Sequence, residues 1–237
     1  VLMQQTDFPF EIIIGDDEST DGTREICIEY EKKYPELIRL FLHKRENNIA
    51  ILGKPSHIFQ YTYNSFQLRG KYVAGCSGDD YWTDPLKLQK QCEFLNKNNE
   101  YSMCYTDYKI VDFQNQIIQN DPIKNVIEKK LSVKNFLGNG FFPAPVTMLY
   151  RNDVWDEKLP CIILECLNED RVLFSILSKQ GDAAYLDEKT AAYRKHGKSI
   201  NSSNKYAFKL RAVVETYKKL SIYFMDRSEK KMINQSL

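Results

Sequence analysis

The sequence predicts an α/β fold: a mostly parallel, doubly wound sheet with helices on both faces, then a C-terminal helical extension. Three observations point there. Apolar or β-branched runs alternate with amphipathic stretches through the first half of the chain. Two of these runs, Ile12-Ile13-Ile14-Gly15 and Val73-Ala74-Gly75-Cys76, lead into adjacent acids, Asp16-Asp17 and Asp79-Asp80. Cap-type residues and a helical pattern follow each acid pair.

Taken in order, Val1-Leu2-Met3-Gln4-Gln5 reads as the tail of a helix. Phe10 to Gly15 reads as a buried strand ending at Asp16-Asp17. Ser19, Thr20 and Asp21 are cap residues, with Asp21 read as a cap rather than a ligand, and the helix after them shows Ile26, Cys27, Tyr30 and Tyr34 on one face until Pro35 stops it. Ile38, Leu40 and Leu42 alternate as a short strand. Pro55 is expected to open a helix with Ile58, Tyr61, Ser65 and Leu68 on one side. After Gly70 a buried strand runs to Asp79-Asp80, and Asp84-Pro85 starts a helix that buries Leu88, Cys92 and Leu95. Tyr101–Tyr105 is a strand ending at Thr106-Asp107. Past Gly140, Pro143 and Pro145, Val146–Tyr150 reads as a strand. Asn168 caps a helix with Val172, Leu173, Ile176 and Leu177 inward and Gly181 as its stop. Residues 183–193 form a strand, and residues 205–225 an amphipathic helix with Leu210, Val213, Val214, Tyr217 and Leu220 on one stripe.

The 237 residues carry a net charge of +1, which gives no electrostatic footprint for nucleic acid. The six cysteines include no Cys-x-x-Cys pair, so a reducing compartment without a disulfide framework is expected. The three histidines have no zinc spacing. No apolar span reaches 18 residues and no signal peptide is present. These features imply a cytoplasmic protein, with the inner face of the membrane as a peripheral location.

Two neighbouring carboxylates repel unless something positive lies between them, and a hard divalent cation serves that purpose with oxygen ligands. Acids at strand ends also sit where open α/β sheets bind ligands. Two such pairs in one chain exceed what solvated turns explain.

Glu11-Ile12-Ile13-Ile14-Gly15-Asp16-Asp17-Glu18-Ser19-Thr20-Asp21-Gly22-Thr23 resembles the nucleotide-binding segment of family 2 glycosyltransferases. Gly70-Lys71-Tyr72, Ser77-Gly78-Asp79-Asp80 and Asp84-Pro85 with Leu88 resemble that family's metal-binding Asp-x-Asp region and the helix after it. Asn168-Glu169-Asp170 looks like its Glu-Asp motif, and Tyr193-Arg194-Lys195-His196-Gly197-Lys198-Ser199 resembles a late Tyr-Arg-x-His segment. The resemblance covers residues 1–200, with the four motifs in family order. It implies a GT-A (nucleotide-diphospho-sugar transferase) fold over 1–200 and a helical extension over 201–237.

The resemblance also implies roles. Asp17 contacts the nucleotide base, with Asp16 beside it in the nucleotide-sugar site. Asp79 and Asp80 hold the sugar nucleotide and its Mn²⁺ or Mg²⁺, with Asp80 on the metal. Asp170 deprotonates the acceptor hydroxyl, as a weak nucleophile requires. Its place in a first helical turn is expected to favour the ionised form. Arg194 suits phosphate, and His196 suits metal or phosphate, against an ordinary loop histidine. Glu169 and Trp82 are supporting candidates; a residue that favours the helix start and a packing aromatic are the plainer readings of the two.

Two departures stand out. The family's first strand, with its Pro-x-Tyr-Asn-like end, is absent, so the chain is expected to be an N-terminally incomplete piece of a longer protein. Asn47-Asn48-Ile49-Ala50 replaces the family's Asn-x-Gly. The expected activity is inverting, metal-assisted sugar transfer from a nucleotide-diphosphate donor to a glycan or lipid-linked acceptor, in cell-surface polysaccharide, lipopolysaccharide or glycan synthesis. A nucleotide-sugar-binding pseudoenzyme or inactive fragment is the alternative. A nucleotidyltransferase is weaker, because no Gly-rich phosphate loop with a Lys is present. The 205–225 stripe is read as core or a partner face, with a second copy or a membrane surface as its contact.

Overall fold

Ile12-Ile13-Ile14 is β-branched, stiff at χ1 and suited to a strand. In a computed structural model that describes residues 1–123, 130–132, 135, 143–153, 159–195 and 206–224, this run forms β1 (Ile12–Asp17). It pairs in parallel with β2 (Ile38–His43), Asp17 opposite His43. Helix α1 (Thr23–Lys33) crosses between them. Gly22, with φ +93°, holds the cap position of α1, and Asp21 stands one residue before it, accepting the Thr23 N–H at 3.2 Å in a local turn rather than capping the helix as expected. The expected buried face of α1 is open: Ile26 is 56% and Tyr30 40% exposed, and no residue of the helix is buried. Its four apolar positions make a stripe too narrow to bury beside Glu25, Glu29, Lys32 and Lys33.

Pro55 does not open a helix. It lies in β4 (Lys54–Ser56), which pairs antiparallel with β3 (Ile49–Ile51). Leu52 and Gly53 join them with φ of 51° and 78°, a two-residue turn whose twist matches the strands. Leucine is unusual there, and its side chain packs onto the larger core cluster. Ser56 Oγ accepts the Ile58 N–H at 3.2 Å and starts α2 (Ile58–Ser65). This helix lies on β1 at Gly15, where any Cβ would collide with the amides of Asn64 and Gln60. Gln60 Nε2 donates to the Gly15 carbonyl at 2.7 Å.

The main sheet runs β5 (Tyr72–Val73), β10 (Leu149–Arg151), β7 (Tyr101–Val111), β11 (Asp182–Arg194), β6 (Tyr81–Trp82), with β8 (Ile117–Asn120) on β7 and β9 (Lys130–Leu131) on β11. The long β7–β11 pairing is parallel, whereas the short flanking pairings are antiparallel, so the sheet is mixed. The expected strand into Asp79-Asp80 stops at Val73. Among the described residues it is an edge strand with a partner on one side only, and Gly75 to Asp79 are exposed. The acid pair therefore sits on a turn between β5 and β6, closed by the Asp80 N–H on the Ser77 carbonyl at 3.1 Å. Similarly, Pro145–Thr147 forms a 3-10 turn and the expected 146–150 strand begins only at Leu149. β7 runs past Asp107 to Val111.

Helix α3 (Lys87–Lys97) buries Leu88, Cys92 and Leu95 as the spacing implies, under the smaller core cluster. α4 (Leu159–Leu164), α5 (Glu169–Gln180) and α6 (Tyr206–Tyr223) build the larger one. Val172, Leu173, Ile176 and Leu177 are all buried. Gly181 follows α5 with extended backbone; a Cβ there would lie 2.6 Å from the Glu100 carbonyl oxygen. On α6 the buried positions are Ala212, Thr216, Tyr217 and Leu220, while Leu210 is 52% exposed, so the core face is rotated from the expected stripe. Arg171 donates to the Tyr217 hydroxyl at 2.8 Å and ties α6 to α5. The expected boundary at 200 lies outside the described residues. Among the described residues no helix is long and apolar enough to cross a membrane.

Candidate active site

The first group of acids stands at the end of β1. Asp16 is 3% exposed. Its Oδ2 accepts Arg24 Nε at 2.5 Å and the Ser19 N–H at 3.2 Å. Burial pushes the carboxyl up, but the hydrogen bonds from Ser19 and Arg24 outweigh it and hold Asp16 below its usual value. Asp17 Oδ2 accepts Asn48 Nδ2 at 2.9 Å. Glu18 then turns the chain with φ 56°, and its carboxylate accepts the Arg45 N–H at 2.9 Å. Asp16 Oδ1 and Asp17 Oδ1 are buried with no hydrogen-bond partner among the described residues. A buried acceptor left unpaired costs about 1–3 kcal/mol. Donors on a ligand, such as a base N–H or ribose hydroxyl, would recover that cost. Asn48, which orients Asp17, belongs to the segment that departs from the family pattern.

The second group heads α5. Asn168 occupies the cap position, yet its side chain makes no cap bond and its Oδ1 is buried without a partner among the described residues. Asp170 Oδ1 accepts the Arg171 N–H at 2.7 Å. Burial, and then the Glu169 charge, push Asp170 up to about 6. The first-turn position was expected to favour the ionised form; loss of water outweighs it here. At neutral pH the group is still mainly a carboxylate, and a more basic one.

Glu169 Oε1 lies 3.0 Å from His57 Nε2, the residue that caps α2. The Glu169 hydrogen bond raises the His57 pKa against the effect of burial, and the charges of Glu169, Asp17 and Asp170 add to it. Both Asp17 and Asp170 thus act on one imidazole, that of His57 at the start of α2. Tyr61, one turn along, feels Glu169 and Asp170 too. His57 is not among the residues that the sequence motifs single out. Its i, i+4 spacing to Tyr61 on a face with Ile58 was the available signal.

The third group is the turn at Asp79-Asp80. Asp80 Oδ1 accepts the Arg194 main-chain N–H at 2.8 Å. Arg194 Nε donates to the Asp79 carbonyl at 2.8 Å, and Nη1 donates to the Asp112 carbonyl at 3.1 Å and Asn115 Oδ1 at 2.9 Å. The guanidinium lies over the Tyr81 ring. Arg194 therefore clamps two turns together. Trp82 is 7% exposed and donates to the Val146 carbonyl at 3.1 Å, a core position. His196 lies outside the described residues. Among those described, no group of three or more His, Cys, Asp or Glu gathers to hold a metal. The two carboxylates are hard oxygen donors that fit Mg²⁺ or Mn²⁺, provided a diphosphate completes the shell.

Comparison with known proteins identifies the family and the fold. A sequence model of the family "Glycosyl transferase family 2" matches residues 1–158. The uncharacterized protein Rv1520 of Mycobacterium tuberculosis is 32% identical over 197 residues, covering 83% of this chain and 53% of that protein. The putative teichuronic acid biosynthesis glycosyltransferase TuaG of Bacillus subtilis is 29% identical over 208 residues, 86% of this chain and 75% of TuaG. The chain spans about half the length of the mycobacterial relative. The mannosyltransferase PcManGT from Pyrobaculum calidifontis, solved with GDP-Man and Mn²⁺, superposes with a TM-score of 0.58 at 12% identity, over 99% of this chain and 62% of that one. That likeness shows the α/β fold of the GT-A type. With its strand-end acids, its Glu-Asp helix and a family match over most of its length, the chain belongs to glycosyl transferase family 2.

Proposed function

We propose that this chain transfers a sugar from a nucleotide-diphosphate donor to a hydroxyl acceptor. The observation that carries it is the placement of Asp170: a carboxylate raised to about 6, in the first turn of a buried helix, whose charge reaches the same imidazole as that of Asp17. A general base works best with a pKa near the operating pH. Asp17 and Asp16 receive the nucleoside through their unpaired oxygens. Asp79 and Asp80 would hold a Mn²⁺ or Mg²⁺, which offsets the charge developing on the leaving diphosphate. Asp170 accepts the acceptor hydroxyl proton as that oxygen bonds to the sugar's C1 and the C1–O bond to diphosphate breaks. One displacement of this kind inverts C1. Cell-surface polysaccharide synthesis is the proposed setting, supported by the name of TuaG.

The test pairs binding with chemistry. Thermal shift with UDP, GDP, dTDP and CDP, each with and without Mn²⁺, should find a stabilising nucleotide, since ligands of the folded state raise apparent stability. Hydrolysis of the matching sugar nucleotides should then depend on Asp170. Binding without turnover in any donor would favour the pseudoenzyme reading instead.

A further inference from the structure

His57 has no chemical role in the reading above, yet its imidazole lies against Glu169, the residue next to Asp170. Its ring nitrogen meets Glu169 across 112 residues of sequence. The helix it caps touches the nucleotide side twice more. Gln60 donates to the Gly15 carbonyl, one residue before Asp16. Asn64 Oδ1 lies 3.0 Å from His43 Nε2, and His43 is the residue opposite Asp17 in the β1–β2 register. One short helix therefore contacts β1 through Gln60, β2 through Asn64 and the head of α5 through His57.

We propose that His57 is a positioning residue for the transfer reaction, with its imidazolium pairing with Glu169 to fix the first turn of α5 and to offset the Glu169 charge beside Asp170. This rests on the glycosyltransferase reading. The charged groups acting on His57 are Glu169 and Asp170 from α5 and Asp17 from β1. When the imidazolium loses its proton, Glu169 keeps at most a neutral hydrogen bond from His57 and its charge beside Asp170 is no longer offset by the imidazolium. Turnover should then fall on the alkaline side as His57 deprotonates, and on the acid side as Asp170 protonates near 6.

Two measurements test this on the whole chain. The first needs no substrate. With only three histidines, their ring signals in labelled protein can be followed by NMR as pH rises. His57 should titrate above the usual histidine value of about 6.5, and Glu169→Gln should lower its midpoint. A His57 midpoint at or below 6.5 in the wild type, or one unmoved by Glu169→Gln, would overturn the pairing. The second uses whichever sugar nucleotide the wild type turns over. His57→Phe should lower kcat about tenfold, the scale of one lost hydrogen-bonded contact to a charged group, with donor KM unchanged. His57→Gln can still donate to Glu169 but carries no charge, so it should show the reduced rate of the deprotonated wild type and lose the alkaline limb. Wild-type rate and pH profile in His57→Phe would overturn the positioning role. If no donor is turned over by the wild type, the transfer reading fails and the positioning role with it. The NMR midpoints then show whether the ion pair survives that failure.

Discussion

The main-chain N–H of Arg194 donates to Asp80 Oδ1 at 2.8 Å, so the end of β11 fixes one oxygen of the acid turn. An amide in place of the carboxylate keeps that acceptor but loses the charge. Asp80→Asn should preserve the turn and abolish Mn²⁺-dependent nucleotide binding. Titration calorimetry with and without Mn²⁺ decides it; retained metal dependence would refute the assignment of Asp80 to the ion. Arg194→Ala leaves the main-chain bond and removes the clamp on Asp79, Asp112 and Asn115. It should weaken metal-dependent binding while sparing metal-free binding.

Asp17 and Asn48 should act together on the nucleotide itself. Asn48→Ala frees the carboxylate that Asn48 now orients. Affinity for free nucleoside diphosphate should fall in Asp17→Ala by about tenfold or more, equivalent to a hydrogen bond to a charged group, and less in Asn48→Ala. Unchanged affinity in Asp17→Ala would remove it from the base site.

Asp170 gives a stability prediction with an unusual sign. Its carboxyl is raised in the folded state, from 3.8 to about 6. Folding is therefore unopposed by this group below about 4, and the cost appears as pH rises through about 6. Above that, holding the buried charge costs on the order of 2–3 kcal/mol at 1.36 kcal/mol per pKa unit. Asp170→Asn should raise Tm at pH 7.5 and leave it unchanged at pH 4. A lower Tm at pH 7.5 would mean that Asp170 stabilises its helix as a cap does.

Gly181 tests the packing of α5 on the sheet. A methyl there meets the Glu100 carbonyl and the Ser102 nitrogen, both backbone atoms that have little room to move. Gly181→Ala should destabilise by about 1–3 kcal/mol, the range for overpacking. At exposed Gly78, where nothing lies within 4 Å of an added Cβ, the same change should stay within about 0.5 kcal/mol. Equal denaturant midpoints for the two variants would refute the close approach.

The sequence shows the parts that rest on strong local patterns. The triple isoleucine of β1, the apolar face of α5 and the acid positions themselves need no tertiary information. Three features needed it. The Leu52-Gly53 turn carries a leucine where Asn or Gly is the readable signal, so in sequence Pro55 reads as a helix start. The run after Val73 looks like a buried strand, but its edge position leaves the small residues Gly75 to Ser77 exposed. His57 lies far in sequence from Glu169, and only the packing of α2 against β1 and against α4, which leads into α5, brings the two together.

The central claim is that Asp170 is the base. Its most direct test measures donor affinity and transfer rate together on Asp170→Asn, with the donor that the wild type turns over. Donor affinity should stay at the wild-type level while transfer falls about 10²–10⁴-fold, the usual contribution of a positioned base. Transfer within a few-fold of wild type, at unchanged donor affinity, would contradict it.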